Sequence, residues 1–226
     1  MSNLDSAVAS LLSLKRKHPG GFSTILADPP WRFKNRTGKV APEHRRLYRY
    51  STLSLEELMQ LPVGELARPQ SHLYLWCPNA LLPQGLRLME AWGFQYKTML
   101  VWYKVRKDGG PDGRGVGFYY RIVTEPLLFG VKGHLRTLPP GRRQVNIIVH
   151  RKREHSTKPP VAYEIIQSCS PGPYLELFAR RPVPGWVVWG NEVESYEQRR
   201  PRYKGYDWEM LLPCSAAPVG AREATG

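Results

Sequence analysis

From residue 22 to residue 189 short apolar runs alternate with segments of helical spacing, and no other feature narrows the fold as much. Strands are expected at residues 23–27, 72–76, 96–104, 124–131, 146–150, 174–178 and 186–189, each bounded by glycine, proline or polar residues. Helices are expected at residues 8–17, between Ser54 and Pro62, at 82–92 and at 161–168. The capping box Ser54-Leu55-Glu56-Glu57 opens the second helix and Pro62 stops it. Pro83 sits near the first position of the third, and Gly93 ends it. The first helix ends in Lys15-Arg16-Lys17, which suits a helix C-terminus, and it either packs or frays. Such alternation predicts an α/β fold, and 226 residues suit one domain with a sizeable core. The glycine-rich segment 105–117 reads as a mobile loop, and it lacks the G-x-x-x-x-G-K-[ST] pattern that cradles phosphates.

At the end of the first expected strand stands Asp28-Pro29-Pro30-Trp31. Open α/β sheets place their chemistry at the carboxyl ends of strands, and here a carboxylate, two rigid prolines and an aromatic face arrive together. Taken alone the tetrapeptide is equally good turn material.

Charge narrows the partner. The chain carries 33 Lys and Arg against 19 Asp and Glu, a formal net charge of +14, which points to a polyanion. Two segments concentrate it. Residues 32–50 hold seven Lys or Arg against the single acid Glu43, with Phe33, Tyr48 and Tyr50 interleaved, a pattern that suits phosphates and unpaired bases. Residues 132–153 hold seven more and no acid. Arg32, Lys34, Arg36, Tyr50, Arg121, Arg142 and Arg143 are the candidate contacts to nucleic acid. No apolar run reaches the 18 residues or so that a membrane span needs, and no signal peptide is legible, so an intracellular, cytoplasmic protein is expected, nucleoid-associated if bacterial or phage. Cys77, Cys169 and Cys214 form no C-x-x-C pair and the six histidines no H-x-x-x-H pair, so neither disulfides nor a metal are expected.

Four segments in order carry a resemblance: Asp28-Pro29-Pro30-Trp31 followed by Tyr50-Ser51-Thr52-Leu53-Ser54; His155-Ser156-Thr157-Lys158-Pro159; Leu175-Glu176-Leu177-Phe178-Ala179-Arg180; and Gly185-Trp186 with Trp189-Gly190-Asn191-Glu192. Together they resemble the adenine amino-methyltransferases that include the catalytic subunit of the messenger-RNA adenosine methyltransferase and its bacterial and phage relatives. The resemblance implies a Rossmann-like methyltransferase, a single domain with a mostly parallel sheet flanked by helices, over residues 22–193. Residues 1–21 would then be a tail or short helix and 194–226 a partly irregular extension. It implies S-adenosylmethionine as methyl donor and adenine N6 in DNA or RNA as acceptor, with DNA favoured because compact members act without an RNA-binding module.

In this reading Asp28 and the Pro29 carbonyl are the two acceptors for the amine's N–H groups, Pro30 stiffens the turn, and Trp31 stacks on the flipped base. Asp28, Lys158, Glu176, Phe178, Arg180, Asn191 and Glu192 match positions around the donor. Two departures stand out. Arg181-Pro182-Val183 replaces the Pro-His-Asn run of the messenger-RNA enzymes, and residues 1–21 offer no clear equivalent of the extra strand that helps those enzymes hold the donor's adenine. A homodimer or heterodimer in which a partner completes the cofactor or target site is therefore in view. The alternative reading is a non-catalytic nucleic-acid-binding subunit of the same fold, against which the intact Asp28 argues. Cytosine or glutamine amino-methylation would more typically show Ser or Asn at position 28.

Overall fold

The computed structural model describes residues 3–32, 52–113, 119–151 and 158–190. Seven strands form one sheet: β1 (Phe22–Ala27), β2 (Ala67–Trp76), β3 (Gln95–Val105), β4 (Thr124–Lys132), β5 (Ile147–Arg151), β6 (Tyr174–Leu177) and β7 (Trp186–Trp189). Their spatial order is β5-β3-β4-β2-β1-β6-β7. The pairs β1·β2, β1·β6, β3·β5 and β6·β7 are parallel, while β4 runs antiparallel to both β2 and β3. Six strands thus point one way and β4 the other, which makes the expected mostly parallel sheet of a Rossmann-like methyltransferase.

Helices cover both faces. On one side lie α1 (Asn3–Lys17), α2 (Leu55–Met59), α3 (Val63–Leu66) and α4 (Leu82–Ala91), whose Leu11, Leu58, Val63, Leu66, Leu88 and Met89 join Phe22, Ile25, Leu73 and Leu75 in one core cluster. On the other side α5 (Val161–Cys169) sets Ala162, Ile165, Ile166 and Cys169 against Leu26, Tyr74, Trp76 and Trp102. All six residues of β1 are buried, as befits a central strand covered on both faces.

α1 packs. A helix of 15 residues is marginal alone, so docking decides, and fully buried Leu11 supplies an anchor worth about 1.5–3 kcal/mol. Ser54 caps α2 as expected, with its side chain accepting from the Glu57 N–H at 3.2 Å and the Glu57 carboxylate accepting from the Ser54 N–H at 2.7 Å. α3 and the first residues of β2 are not legible as such in the sequence, because α3 is a single turn and Arg68, Pro69 and Gln70 are exposed and show no apolar alternation. No helix among the described residues is long and apolar enough to cross a membrane.

Candidate active site

β1 lies between β2 and β6, which follow it on opposite sides, so its carboxyl end opens onto the crevice that such a reversal creates. Asp28 is the first residue beyond it. Its N–H donates to the Leu177 carbonyl at 3.3 Å, the Trp31 N–H donates to the Pro29 carbonyl at 2.8 Å, and the Leu53 N–H donates to the Pro30 carbonyl at 3.0 Å. The turn is therefore held by backbone bonds on both flanks. The Pro29 carbonyl keeps one of its two lone pairs.

Trp31 departs from expectation. Its ring is only 7 % exposed, lies in the core on the α1–α4 side, and donates its Nε1–H to the Trp76 carbonyl at 3.0 Å. An indole covered in this way has no free face for a base; it fastens the turn to β2 instead.

Around Asp28 four charges alternate in sign. Lys158 Nζ is 2.9 Å from Asp28 Oδ1 and 2.9 Å from Glu125 Oε1, and Lys104 Nζ is 2.7 Å from Glu125 Oε2. The Lys158 ammonium lies 5.3 Å over the Trp76 ring and that of Lys104 4.7 Å over Trp102. Burial disfavours charge on Glu125, but Lys158 and Lys104 together outweigh it and pull its pKa down to about 2. Burial likewise opposes the charge of Lys158, and the two carboxylates overcome it to raise its pKa. Asp28 differs: burial pushes its pKa up, and the single ammonium of Lys158 only moderates that. Its acceptor character thus depends on one ion pair.

Glu176, on β6, lies on the same face of the sheet beneath α5. It is 8 % exposed and accepts the Tyr163 hydroxyl at 2.9 Å through Oε1, while Oε2 is buried with no partner. Burial raises its pKa to about 7, with the negative charge of Asp28 adding to the effect. Trp186 packs edge-on against the Tyr163 ring at 5.4 Å and also leaves its Nε1–H unpaired. Phe178 follows β6 with φ of 63°, a left-handed conformation that a bulky residue holds only where its surroundings impose it, and its ring meets Trp189 at 5.4 Å. Arg180 is exposed and its charge helps lower the Asp28 pKa, which puts it on the same side.

The structure thus brings together Asp28, Pro29, Lys158, Glu176, Phe178 and Arg180. Arg121 precedes β4 at the same sheet edge. Arg32 borders the turn, with its guanidinium on the Thr52 carbonyl at 2.8 Å and Glu57 at 3.3 Å. Arg142 and Arg143 are not brought here. They sit in a short turn whose Leu138 N–H donates to the Cys169 carbonyl at 2.8 Å, at the far end of α5 and the opposite edge of the sheet. A local run of cations carries no information about sheet edge, which is why the sequence grouped them with the site. Lys34, Arg36, Tyr50, Asn191 and Glu192 lie outside the described residues, as do 114–118 of the glycine-rich loop.

Sequence reasoning missed Glu125 and Lys104. The signal was present: an acid in the otherwise apolar run 124–131 and a cation in the alternating run 96–104 both demand partners if buried. Among the described residues no group of three or more His, Cys, Asp or Glu could hold a metal ion. A groove of about 500 Å³ lined by Met59, Leu61, Trp92 and Lys132 lies on the α2–α4 side and includes no residue of the charge chain.

The chain is 31 % identical over 189 residues to the type II methyltransferase M.MunI of Mycoplasma sp, covering 76 % of this chain and 78 % of that one. It is 30 % identical over 191 residues to the human N(6)-adenine-specific methyltransferase METTL4, and 29 % over 183 residues to the human N(6)-adenosine-methyltransferase catalytic subunit METTL3. Each of these matches covers 78 % of this chain, but only 38 % and 29 % of the human proteins. Residues 22–192 match the MT-A70 family from the first residue of β1 to beyond β7, with Asp28, Lys158 and Glu176 inside the matched span, and the chain belongs to that family.

Proposed function

We propose that this chain is an adenine-N6 methyltransferase that moves a methyl group from S-adenosylmethionine to the exocyclic amine of adenine in nucleic acid, DNA in preference to RNA. The observation that carries the reading is the half-buried Lys158–Asp28 pair at the carboxyl end of β1 in an MT-A70 chain. The preference for DNA rests on likeness to compact members and is supported by the 78 % coverage of the Mycoplasma relative.

The residues at the crevice fit the donor. Glu176 Oε2, buried and unpartnered, calls for a hydroxyl or ammonium group. Lys158 has three N–H directions, and its two carboxylate contacts leave one for a ligand anion. Phe178 and Arg180 follow β6 beside them, and Asn191 and Glu192 follow β7 in the chain. When bound, S-adenosylmethionine supplies a methyl group on a sulfonium that leaves readily.

What remains falls to the chain's own groups. An exocyclic amine is a poor nucleophile because its lone pair is delocalised into the ring. Two acceptors that draw on its two N–H groups hold it pyramidal, and the Asp28 carboxylate and the spare lone pair of the Pro29 carbonyl are such acceptors, fixed in advance by the pinned turn. The remaining help is orientation in line with the departing group. A base must leave the duplex to reach this depth, and Arg32, Lys34, Arg36, Tyr50 and Arg121 hold the flanking strand. The name "catalytic subunit" borne by METTL3 supports action alongside a second chain.

The test is nucleoside mass spectrometry after incubation with labelled donor and single- or double-stranded DNA or RNA oligonucleotides. N6-methyladenine is expected, most on DNA, and is lost in Asp28→Ala. Undiminished transfer by that variant removes Asp28 from the chemistry, and faster transfer to RNA reverses the preference.

A further inference from the structure

Immediately before β4 two tyrosines stand out of the molecule, Tyr119 94 % exposed and Tyr120 86 %. Scattered surface side chains are ordinary, but two adjacent aromatic rings with nearly their whole surface in water are not. Their position adds to this. Tyr103 of β3 pairs with Thr124 of β4, and the Lys104 N–H donates to the Val123 carbonyl at 2.8 Å, so the lead-in 119–123 is tied to the catalytic edge of the sheet. The next strand residue, Glu125, is 2.9 Å from Lys158, which is 2.9 Å from Asp28. Five residues separate Tyr120 from Glu125, so their Cα atoms lie within about 17 Å even for extended chain. That span is about five nucleotide rises along one strand.

We propose that Tyr119 and Tyr120 form a stacking platform for an unpaired base that flanks the target adenine. This rests on the nucleic-acid substrate proposed above and names a contact for it. Every base offers a π-face, so an exposed ring pair beside an opened strand gives affinity without demanding a sequence. The local charge suits the phosphates that accompany such a base: residues 113–123 carry Arg114 and Arg121 and no acid. Extruding the target adenine unstacks its neighbours, and a ring that takes up one of them offsets part of that loss.

The experiment is a fluorescence-anisotropy titration of the full chain with a labelled single-stranded, adenine-containing oligonucleotide, without donor, at several salt concentrations. The double variant Tyr119→Ala/Tyr120→Ala should bind roughly ten- to a hundredfold more weakly, with the slope of log affinity against log salt unchanged, because no phosphate contact is lost. Tyr119→Phe/Tyr120→Phe should bind like the wild type, and Tyr119→Leu/Tyr120→Leu as weakly as the alanine variant. Wild-type affinity in the alanine or the leucine variant overturns the platform. A wild-type dimer in sedimentation that becomes monomeric in the alanine variant, with affinity for DNA kept, overturns it in favour of a subunit contact. Such failures leave methyl transfer untouched. Conversely, tyrosine-dependent binding without N6-methyladenine would sink the proposed reaction and leave the platform standing.

Discussion

Replacing Lys158 by methionine removes the ammonium paired with Asp28 while keeping most of the side-chain volume. At 2.9 Å, with the effective dielectric of about 20 that suits protein sites, the attraction between the two charges is about 6 kcal/mol. Losing Lys158 removes the ammonium that opposes the effect of burial on Asp28, so the pKa of the carboxyl left behind rises further. The side chains are 16 % and 22 % exposed, so solvent screens the pair only in part. Burial already pushes the Asp28 pKa up, so at a given pH the variant carries more protonated Asp28 than the wild type. A protonated carboxyl presents O–H where the amine needs an acceptor. The pH profile of label transfer to an oligonucleotide from pH 5 to 9 should therefore show its acid limb displaced upward, with kcat reduced at the acid end and recovering as pH rises. Lys158→Arg keeps the charge and should leave the limb in place. Stability carries an independent sign. With the folded pKa of Asp28 above its unfolded value, stability is full below the unfolded pKa and lost as pH rises through the folded one. The gap between variant and wild type in urea should accordingly narrow as pH falls from 8 toward 4. An acid limb that stays put in Lys158→Met would refute the dependence of Asp28 on this ion pair.

Other groups give their own readouts. Glu176 titrates at about 7 in the fold, well above an ordinary carboxyl, so it destabilises as pH rises from about 4 through 7; Glu176→Gln should be more stable than wild type at pH 8, on the order of 3 kcal/mol, and equal to it at pH 4, and matching slopes in urea melts would contradict this. His72 is fully buried between Ser170 Oγ at 2.8 Å and the Leu135 carbonyl at 3.0 Å, and burial lowers its pKa; the unfolded chain therefore takes up the proton first, and the wild-type advantage over His72→Gln should shrink as pH drops from 7 to 5. A Cβ at Gly85 would meet Cys77 Sγ at 2.6 Å and Leu128 Cδ1 at 3.0 Å, so Gly85→Ala should lose about 1–3 kcal/mol by overpacking, and an unchanged melting temperature would show that α4 can shift at no cost.

The parts of the fold that were legible are those where local pattern and tertiary need coincide. β1 is wholly buried because it is central, α2 is announced by its capping box, and β7 runs over the residues its pattern marks. The illegible parts are those where long-range pairing decides. Arg68, Pro69 and Gln70 are exposed and become strand only by extending β2. In the site, Asp28, Lys158 and Glu176 were found through their motifs. Glu125 and Lys104 were not, because a buried charge inside a strand declares its need for a partner without saying where the partner stands. Trp31 was misjudged for a related reason. An aromatic after Asp-Pro-Pro serves equally as a stacking face or an anchor, and the Trp76 carbonyl at 3.0 Å, 45 residues away, decides for the anchor.

The direction of β4 ties these observations together. Periodicity gives a strand its faces but not its sense, and in a parallel sheet the catalytic edge receives only the last residues of each strand. Because β4 runs backward between β2 and β3, its first residues, Thr124 and Glu125, stand at that edge and Lys132 at the other. Had β4 followed its neighbours, Lys158 would have one carboxylate fewer to set against the burial that opposes its charge. The same reversal brings the lead-in 119–123 to the edge where Asp28 stands, so the strand that supplies the second carboxylate for Lys158 also delivers Tyr119, Tyr120 and Arg121 to the path of a nucleic-acid strand. A single antiparallel strand thus couples the electrostatics of the site to its outer rim.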